Sequence, residues 1–99
     1  MNGAGPELRP LVEGALAGII DPETGTDLLA MGLVRAIAIS GTEVSVTMTT
    51  TTPGCPLASV LRLGAETAVA AVPGVTRAEV VLRHDPPWSP ERIGRGVWE

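Results

Sequence analysis

The chain contains no lysine, no phenylalanine and no tyrosine, and it has one cysteine and one histidine. Each absence excludes something. All seven cations are arginine, set against eleven acidic residues for a formal net charge of −4. A net negative chain repels phosphate backbones. No basic stripe interleaves with stacking aromatics, so nucleic acid is not an expected partner. An anionic membrane surface is disfavoured for the same reason. No apolar run reaches the length that spans a bilayer. Met1 to Pro10 lacks a cationic region followed by an apolar stretch, so no signal peptide is expected. A lone cysteine cannot close an intrachain disulfide. Together these features predict a cytoplasmic protein with Cys55 as a free thiol. With two tryptophans as the sole aromatics, the core must be aliphatic.

What is present suffices for one domain. A folded chain of 99 residues, 44% of them hydrophobic, exposes roughly 5,300 Å² and supports one modest core. Residues 1–6 are small, polar or Gly/Pro and are expected to fray. From Glu7 to Ile19, apolar residues recur at helical spacing (Leu8, Leu11, Val12, Ala15, Leu16, Ile19), with Pro10 tolerated in the first turn. The helix must stop before Pro22. Asp21-Pro22-Glu23-Thr24-Gly25 reads as a turn. Thr26 is expected to cap a short helical piece that Gly32 closes.

Leu33 to Ser40 is apolar on both parities, as a strand covered on both faces would be. Glu43 to Thr50 alternates, with Val44, Val46 and Met48 on one side and Glu43, Ser45, Thr47 and Thr49 on the other. Gly41 suits the tight turn between them. Pro56 to Val72 predicts a second helix, its apolar stripe formed by Leu57, Val60, Leu61, Gly64, Ala65, Ala68 and Val72. Leu63 falls near the polar side, either as a tolerated exposed residue or as part of an interface. Pro73-Gly74 stops this helix, and Val75 to Arg83 is a third strand with Ala78, Val80 and Leu82 inward. Ser89-Pro90-Glu91 starts a final helical turn. The order α-β-β-α-β predicts an α/β fold. It is a two-layer α+β sandwich with a small mixed three-stranded sheet and helices on one face. The strands flanking the second helix should run parallel. The single domain is expected over 7–93, with 94–99 a short, poorly helical tail.

The segment richest in chemistry is Thr49 to Leu57, where a strand ends in hydroxyls, a Pro-Gly turn follows, and the sole cysteine precedes a helix. Pro56 at the first helical position would put Cys55 at the cap, where unpaired N–H groups and the helix dipole favour an anionic sulfur. A thiolate binds metal or attacks electrophiles, whereas a buried cysteine is an inert small hydrophobe. Both readings stand on the residues alone. Thr50 and Thr52 share a face and are placed to hydrogen-bond a sulfur or an anion, while Thr49 and Thr51 read as β-propensity filler. Asp21 and Glu23 are either ligating acids or ordinary turn chemistry. His84, beside Asp85 at a strand end, is either a cysteine partner in thiol catalysis or a solvated residue; adjacent strand residues point opposite ways, so the two are not themselves a dyad, and the solvated reading is the expectation. Trp88, between prolines, is either a lid or a partner-binding anchor.

Asp21-Pro22-Glu23-Thr24-Gly25, Met31-Gly32-Leu33-Val34, Thr52-Pro53-Gly54-Cys55-Pro56-Leu57-Ala58, Pro73-Gly74-Val75 and Asp85-Pro86-Pro87-Trp88-Ser89-Pro90-Glu91-Arg92 follow one another in this order. The ordered set resembles the metal–sulfur cluster assembly factor family that includes SufT and PaaD, also called the MIP-eighteen family, over about residues 8 to 92. The resemblance implies the iron–sulfur assembly domain fold and a role in maturing iron–sulfur proteins. It also implies that Cys55 is the reactive or cluster-ligating residue, with Asp21, and as a lesser candidate Glu23, as the acid beside it. Arg35 and His84 stand where the family commonly has aromatics, and the extra cysteines of PaaD-type proteins are missing, so SufT is the closer comparison. A cluster usually takes roughly four thiolates or equivalents, and this chain offers one. Any cluster is therefore expected to be transient and shared. The expected role is an accessory or adaptor factor, not an enzyme, that meets a scaffold or client protein. A homodimer is a further expectation, with Leu63 and Trp88 as candidate contacts. The alternatives are a structural module of a PaaD-like oxygenase complex and a thiol enzyme.

Overall fold

The computed structural model describes residues 8–52 and 54–98. The fraying expected of residues 1–6 lies outside the described residues. In chain order the elements are α1 (Leu8–Ala17), β1 (Ile20–Asp21), β2 (Thr26–Asp27), β3 (Val34–Ser40), β4 (Glu43–Met48), α2 (Ala58–Ala70), β5 (Arg77–Leu82) and a 3₁₀ turn at Pro90–Arg92.

The alternation in β4 makes it the sheet's centre. Val44, Val46 and Met48 are buried, while Ser45 and Thr47 are half-buried on the opposite face. β4 runs antiparallel to β3, with Ile37 opposite Val46, and parallel to β5, with Met48 opposite Leu82. The mixed three-stranded sheet is thus the expected one. The parallel pair follows from its connection: a strand leaving one end of a sheet can return parallel only by a crossover, and α2 is that crossover. Both helices pack by four-residue steps. Leu8, Val12 and Leu16 of α1 and Leu61, Ala65 and Val69 of α2 are buried. α1 lies against α2 and β3, and α2 lies against β5.

Five expectations need correction. Residues 26–32 are not a Thr26-capped helical piece. Thr26 and Asp27 pair back onto Asp21 and Ile20 as a two-residue ribbon. Asp27, not Thr26, then caps the following turn, its Oδ1 accepting the Ala30 N–H at 2.9 Å. Gly32 does close the segment, at φ 72°.

β3 is not covered on both faces. It is an edge strand, and its end from Ala38 to Ser40 is exposed. The apolar residues on both parities come from a bulge. Val34 pairs with Met48 and Ala36 with Thr47, so Arg35 is an extra residue that shifts the inward phase from Val34 to Ile37.

On α2, Val60 is 65% exposed, because it stands one residue off the Leu61–Ala65–Val69 row and so about 100° around the helix. Leu63 is 55% exposed, as its place on the polar side foretold.

α2 also starts later than expected. The Ala58 N–H donates to the Cys55 carbonyl at 3.1 Å, which closes a turn with Pro56 and Leu57 in the middle. Leu57, at φ −94° and ψ 2°, occupies the N-cap position. Pro56 therefore serves as the second residue of a type I turn, where its fixed φ is equally at home, and Cys55 is not the cap.

Last, residues 94–98 pack onto the domain as more than a tail. Val97 packs against the core. The Trp98 backbone N–H donates to the Val34 carbonyl at 3.2 Å, and its Nε1–H donates to the Gly32 carbonyl at 2.6 Å. These contacts cover part of the open edge of β3.

Candidate functional site

Cys55 sits in the loop that carries the chain from the end of β4 to α2, and it is half-buried. The loop leaves the sheet at the carboxyl ends of the parallel strands β4 and β5. Its first residues are held firmly. The Thr49 N–H donates to the Leu33 carbonyl at 2.8 Å, and Thr49 is fully buried. Thr50, also buried, donates its hydroxyl hydrogen to the Thr52 carbonyl at 2.7 Å. A hydroxyl has one hydrogen to give, so the contact of Thr50 Oγ1 with His84 Nε2 at 2.8 Å requires the imidazole to be the donor. Nε2 of His84 therefore carries a hydrogen.

The second element of the site is the β1–β2 turn. Asp21 is 3% exposed. Its Oδ1 accepts the Glu23 N–H at 2.9 Å, and its carbonyl accepts the N–H groups of Thr24 at 3.2 Å and Gly25 at 2.7 Å. This is the bonding of an Asx turn, and it holds the backbone of residues 21–25 in one shape. The turn presents Glu23 outward, and Glu23 Oε1 accepts from Cys55 Sγ at 3.7 Å. Of the two acids expected beside the sulfur, Glu23 makes the contact, and Asp21 shapes the turn that delivers it.

The remaining candidates fall elsewhere. The hydroxyl of Thr50 is committed to Thr52 and His84 rather than to the sulfur, and Thr52 is exposed. His84, expected as a solvated strand end, is half-buried and anchors the cysteine loop. Trp88 is turned to internal use. Its Nε1–H donates to the Met31 carbonyl at 2.8 Å, and its ring packs against the core. Leu63 lies on the exposed side of α2.

Sequence reasoning missed the Thr50–His84 bond and the part played by Trp98. For the first, a signal existed. Parallel pairing of the two strands with Met48 opposite Leu82 sets Thr50 opposite His84 two residues on. For Trp98 there was none, because its hydrogen bonds go to Gly32 and Val34, far off in the chain.

The arrangement offers one reachable sulfur with a carboxylate placed to take its proton. Among the described residues, no group of three or more His, Cys, Asp or Glu side chains converges as a metal site would require. No helix among them is long and apolar enough to cross a membrane.

A protein-family model described as "Iron-sulfur cluster assembly protein" matches residues 11–80. The chain is similar to the Fe-S protein maturation auxiliary factor YitW of Bacillus subtilis, at 35% identity over 89 residues, which are 89% of this chain and 87% of that protein. It is also similar to the iron–sulfur cluster carrier protein of a Synechocystis strain, at 38% identity over 73% of this chain but 20% of the carrier. The chain thus spans about a fifth of that longer relative. Among solved structures, a conserved hypothetical protein of Thermotoga maritima superposes with a TM-score of 0.80 at 43% identity, covering 91% of this chain and 89% of that one.

Proposed function

Because the chain belongs to the iron–sulfur cluster assembly protein family, we propose that it is an accessory factor in the maturation of iron–sulfur proteins, working through Cys55. The observation that carries this reading is the Cys55 Sγ contact with Glu23 Oε1 at 3.7 Å, on a loop where the sulfur is part exposed.

In this reading the cluster is cargo. Cys55 Sγ forms a bond to a cluster iron as a thiolate of the donor leaves that iron. The thiol proton passes to the Glu23 carboxylate and from there to the departing thiolate, so charge and protons balance. One cysteine supplies one of the roughly four thiolates that clusters take, so the remaining ligands come from the donor, the acceptor or a second copy of the chain. Such a shared hold suits transfer better than storage. We assign the partners as an iron–sulfur scaffold or client, met in the cytoplasm, with the exposed pair Val60 and Leu63 on α2 as a candidate contact for them or for a second copy.

The role as an accessory factor, not an enzyme turning over a substrate, is supported by the relatives' names, which speak of auxiliary factors and carriers. No His–Cys contact among the described residues supports a thiol enzyme, since the sole histidine is bonded to Thr50. The test is Cys55→Ser in cells that depend on iron–sulfur enzymes. Client activities are expected to fall while the unfolding free energy stays within about 0.5 kcal/mol of the parent. Normal client activity would remove the proposal. A stoichiometric complex that survives Cys55→Ala, with clients unaffected, would favour a structural module instead.

A further inference from the structure

The face of the sheet turned away from the helices carries a cluster of charge that the cysteine chemistry does not use. Arg35, Ala36, Thr47, Arg83, Arg92 and Trp98 line a cleft of about 340 Å³. A second cleft of about 300 Å³ shares Arg92 and Trp98 with the first and adds Arg95, Ser89 and Glu91 beside the paired prolines. Four of the chain's seven arginines are gathered here in a molecule of net charge −4. We propose that this double cleft is a docking site for an acidic segment of a partner protein.

Two of these four guanidinium groups, those of Arg35 and Arg92, are held in place by neutral groups. Arg35 and Arg92 each stand 4.2 Å from the centre of the Trp98 ring. Arg35 also donates to the backbone carbonyls of Pro86 and Asp85, the latter at 3.1 Å. Among the described residues, the ion pairs within 4 Å are Arg9–Glu13 and Arg62–Glu66, so no carboxylate closes on Arg35, Arg83, Arg92 or Arg95. Burial, and then the repulsion of Arg83, hold Arg35 below the ordinary guanidinium range, with Asp85 opposing and Arg92 adding to the repulsion. Arginine stays charged even so. Two like charges stacked on one indole, with no carboxylate within ion-pair distance among the described residues, suit carboxylates supplied from outside.

The occupant's shape follows from the geometry. Two clefts side by side, divided by Arg92 and Trp98, fit a chain of carboxylates better than a single ion. The location also favours a protein partner. Arg83 continues β5 and precedes His84, which is bonded to Thr50 at the root of the Cys55 loop. A segment docked here would hold its protein at the same end of the sheet as the sulfur. The proposal does not depend on what Cys55 does.

Titration calorimetry with a blocked hexaglutamate peptide tests it on the full chain. Binding is expected and should weaken in high salt. Arg83→Gln and Arg92→Gln should each lower affinity about tenfold or more. Arg77→Gln, at the far end of β5 and the same in charge, should leave it unchanged, as should Cys55→Ser. Arg92 also stacks on Trp98; if its variant misfolds, Arg83→Gln, whose side chain is exposed, carries the test, with thermal melting as the fold control. Four results would overturn the proposal: no binding to the parent, equal weakening by Arg77→Gln, displacement of the peptide by equimolar inorganic phosphate, or a self-association that Arg83→Gln abolishes. The last two would identify a small-anion pocket or a second copy as the occupant.

Discussion

The parallel strands β4 and β5 end side by side, and the two segments that leave them are built in opposite ways. The one after β4 is held, over the described residues 49–52 and 54–57, by hydroxyl and carbonyl hydrogen bonds, chiefly Thr50 to Thr52 and His84 to Thr50. The one after β5, residues 83–98, is held by two indoles whose N–H groups bond the Met31 and Gly32 carbonyls while Trp88 and Val97 pack on the core. Single hydrogen bonds contribute about 1 kcal/mol net, whereas losing a packed tryptophan costs several times that. Cys55 therefore rides on the segment that rearranges at lower cost, against a neighbour that does not. A residue that exchanges ligands needs a loop able to adjust, and the rigid neighbour keeps that adjustment local.

The comparison is broken most sharply at Gly32. This residue has φ 72°, and a Cβ there would collide with the Arg92 backbone. Gly32→Ala should cost about 3 kcal/mol by urea unfolding, from the left-handed backbone and the clash together. A loss below about 1 kcal/mol would mean that the segment after β5 is not tightly docked. Thr50→Val comes next. It leaves the His84 N–H and the Thr52 carbonyl without their partner, at an expected cost of about 1–2 kcal/mol. The rate of Cys55 alkylation should change with it, and an unchanged rate would show that the bond does not position the sulfur. Glu23→Gln sharpens the contrast with the smallest effect on stability. Unfolding should stay within about 0.5 kcal/mol, since Glu23 is exposed. Cluster transfer to an apo client should slow by about tenfold or more if the carboxylate moves the thiol proton. The same assay on Asp21→Ala should track lost stability instead, because Asp21 acts through the turn that its Oδ1 holds.

Most of the fold could be read in advance, for identifiable reasons. The clean alternation of Val44, Val46 and Met48 placed β4 and its buried face, and the four-residue spacing of Leu8, Val12 and Leu16 placed α1. What misled was local ambiguity. Pro56 fits the first turn of a helix and the middle of a β-turn equally well, so the cap was assigned two residues early. The run from Leu33 to Ser40 looked covered on both faces because a bulge, invisible to periodicity, switches its phase at Arg35. At the site, Cys55 was conspicuous as the lone sulfur and the Asp21–Gly25 turn as a motif, but motif order does not say which of two acids reaches the atom.

By itself the sequence determined the succession of elements, their apolar faces, the parallel pairing imposed by a helical crossover, and the one atom able to bond iron as a thiolate. These depend on spacing along the chain, and spacing is written in the residues. Tertiary structure alone decided that Glu23 meets Cys55 while Asp21 is spent on its turn, that His84 braces the loop, and that Trp98 gathers Arg35 and Arg92 from two separate segments. The Glu23–Cys55, Thr50–His84 and Arg35–Trp98 contacts join residues dozens of positions apart, and their geometry exists only once the core has closed and set the turns at fixed angles to one another.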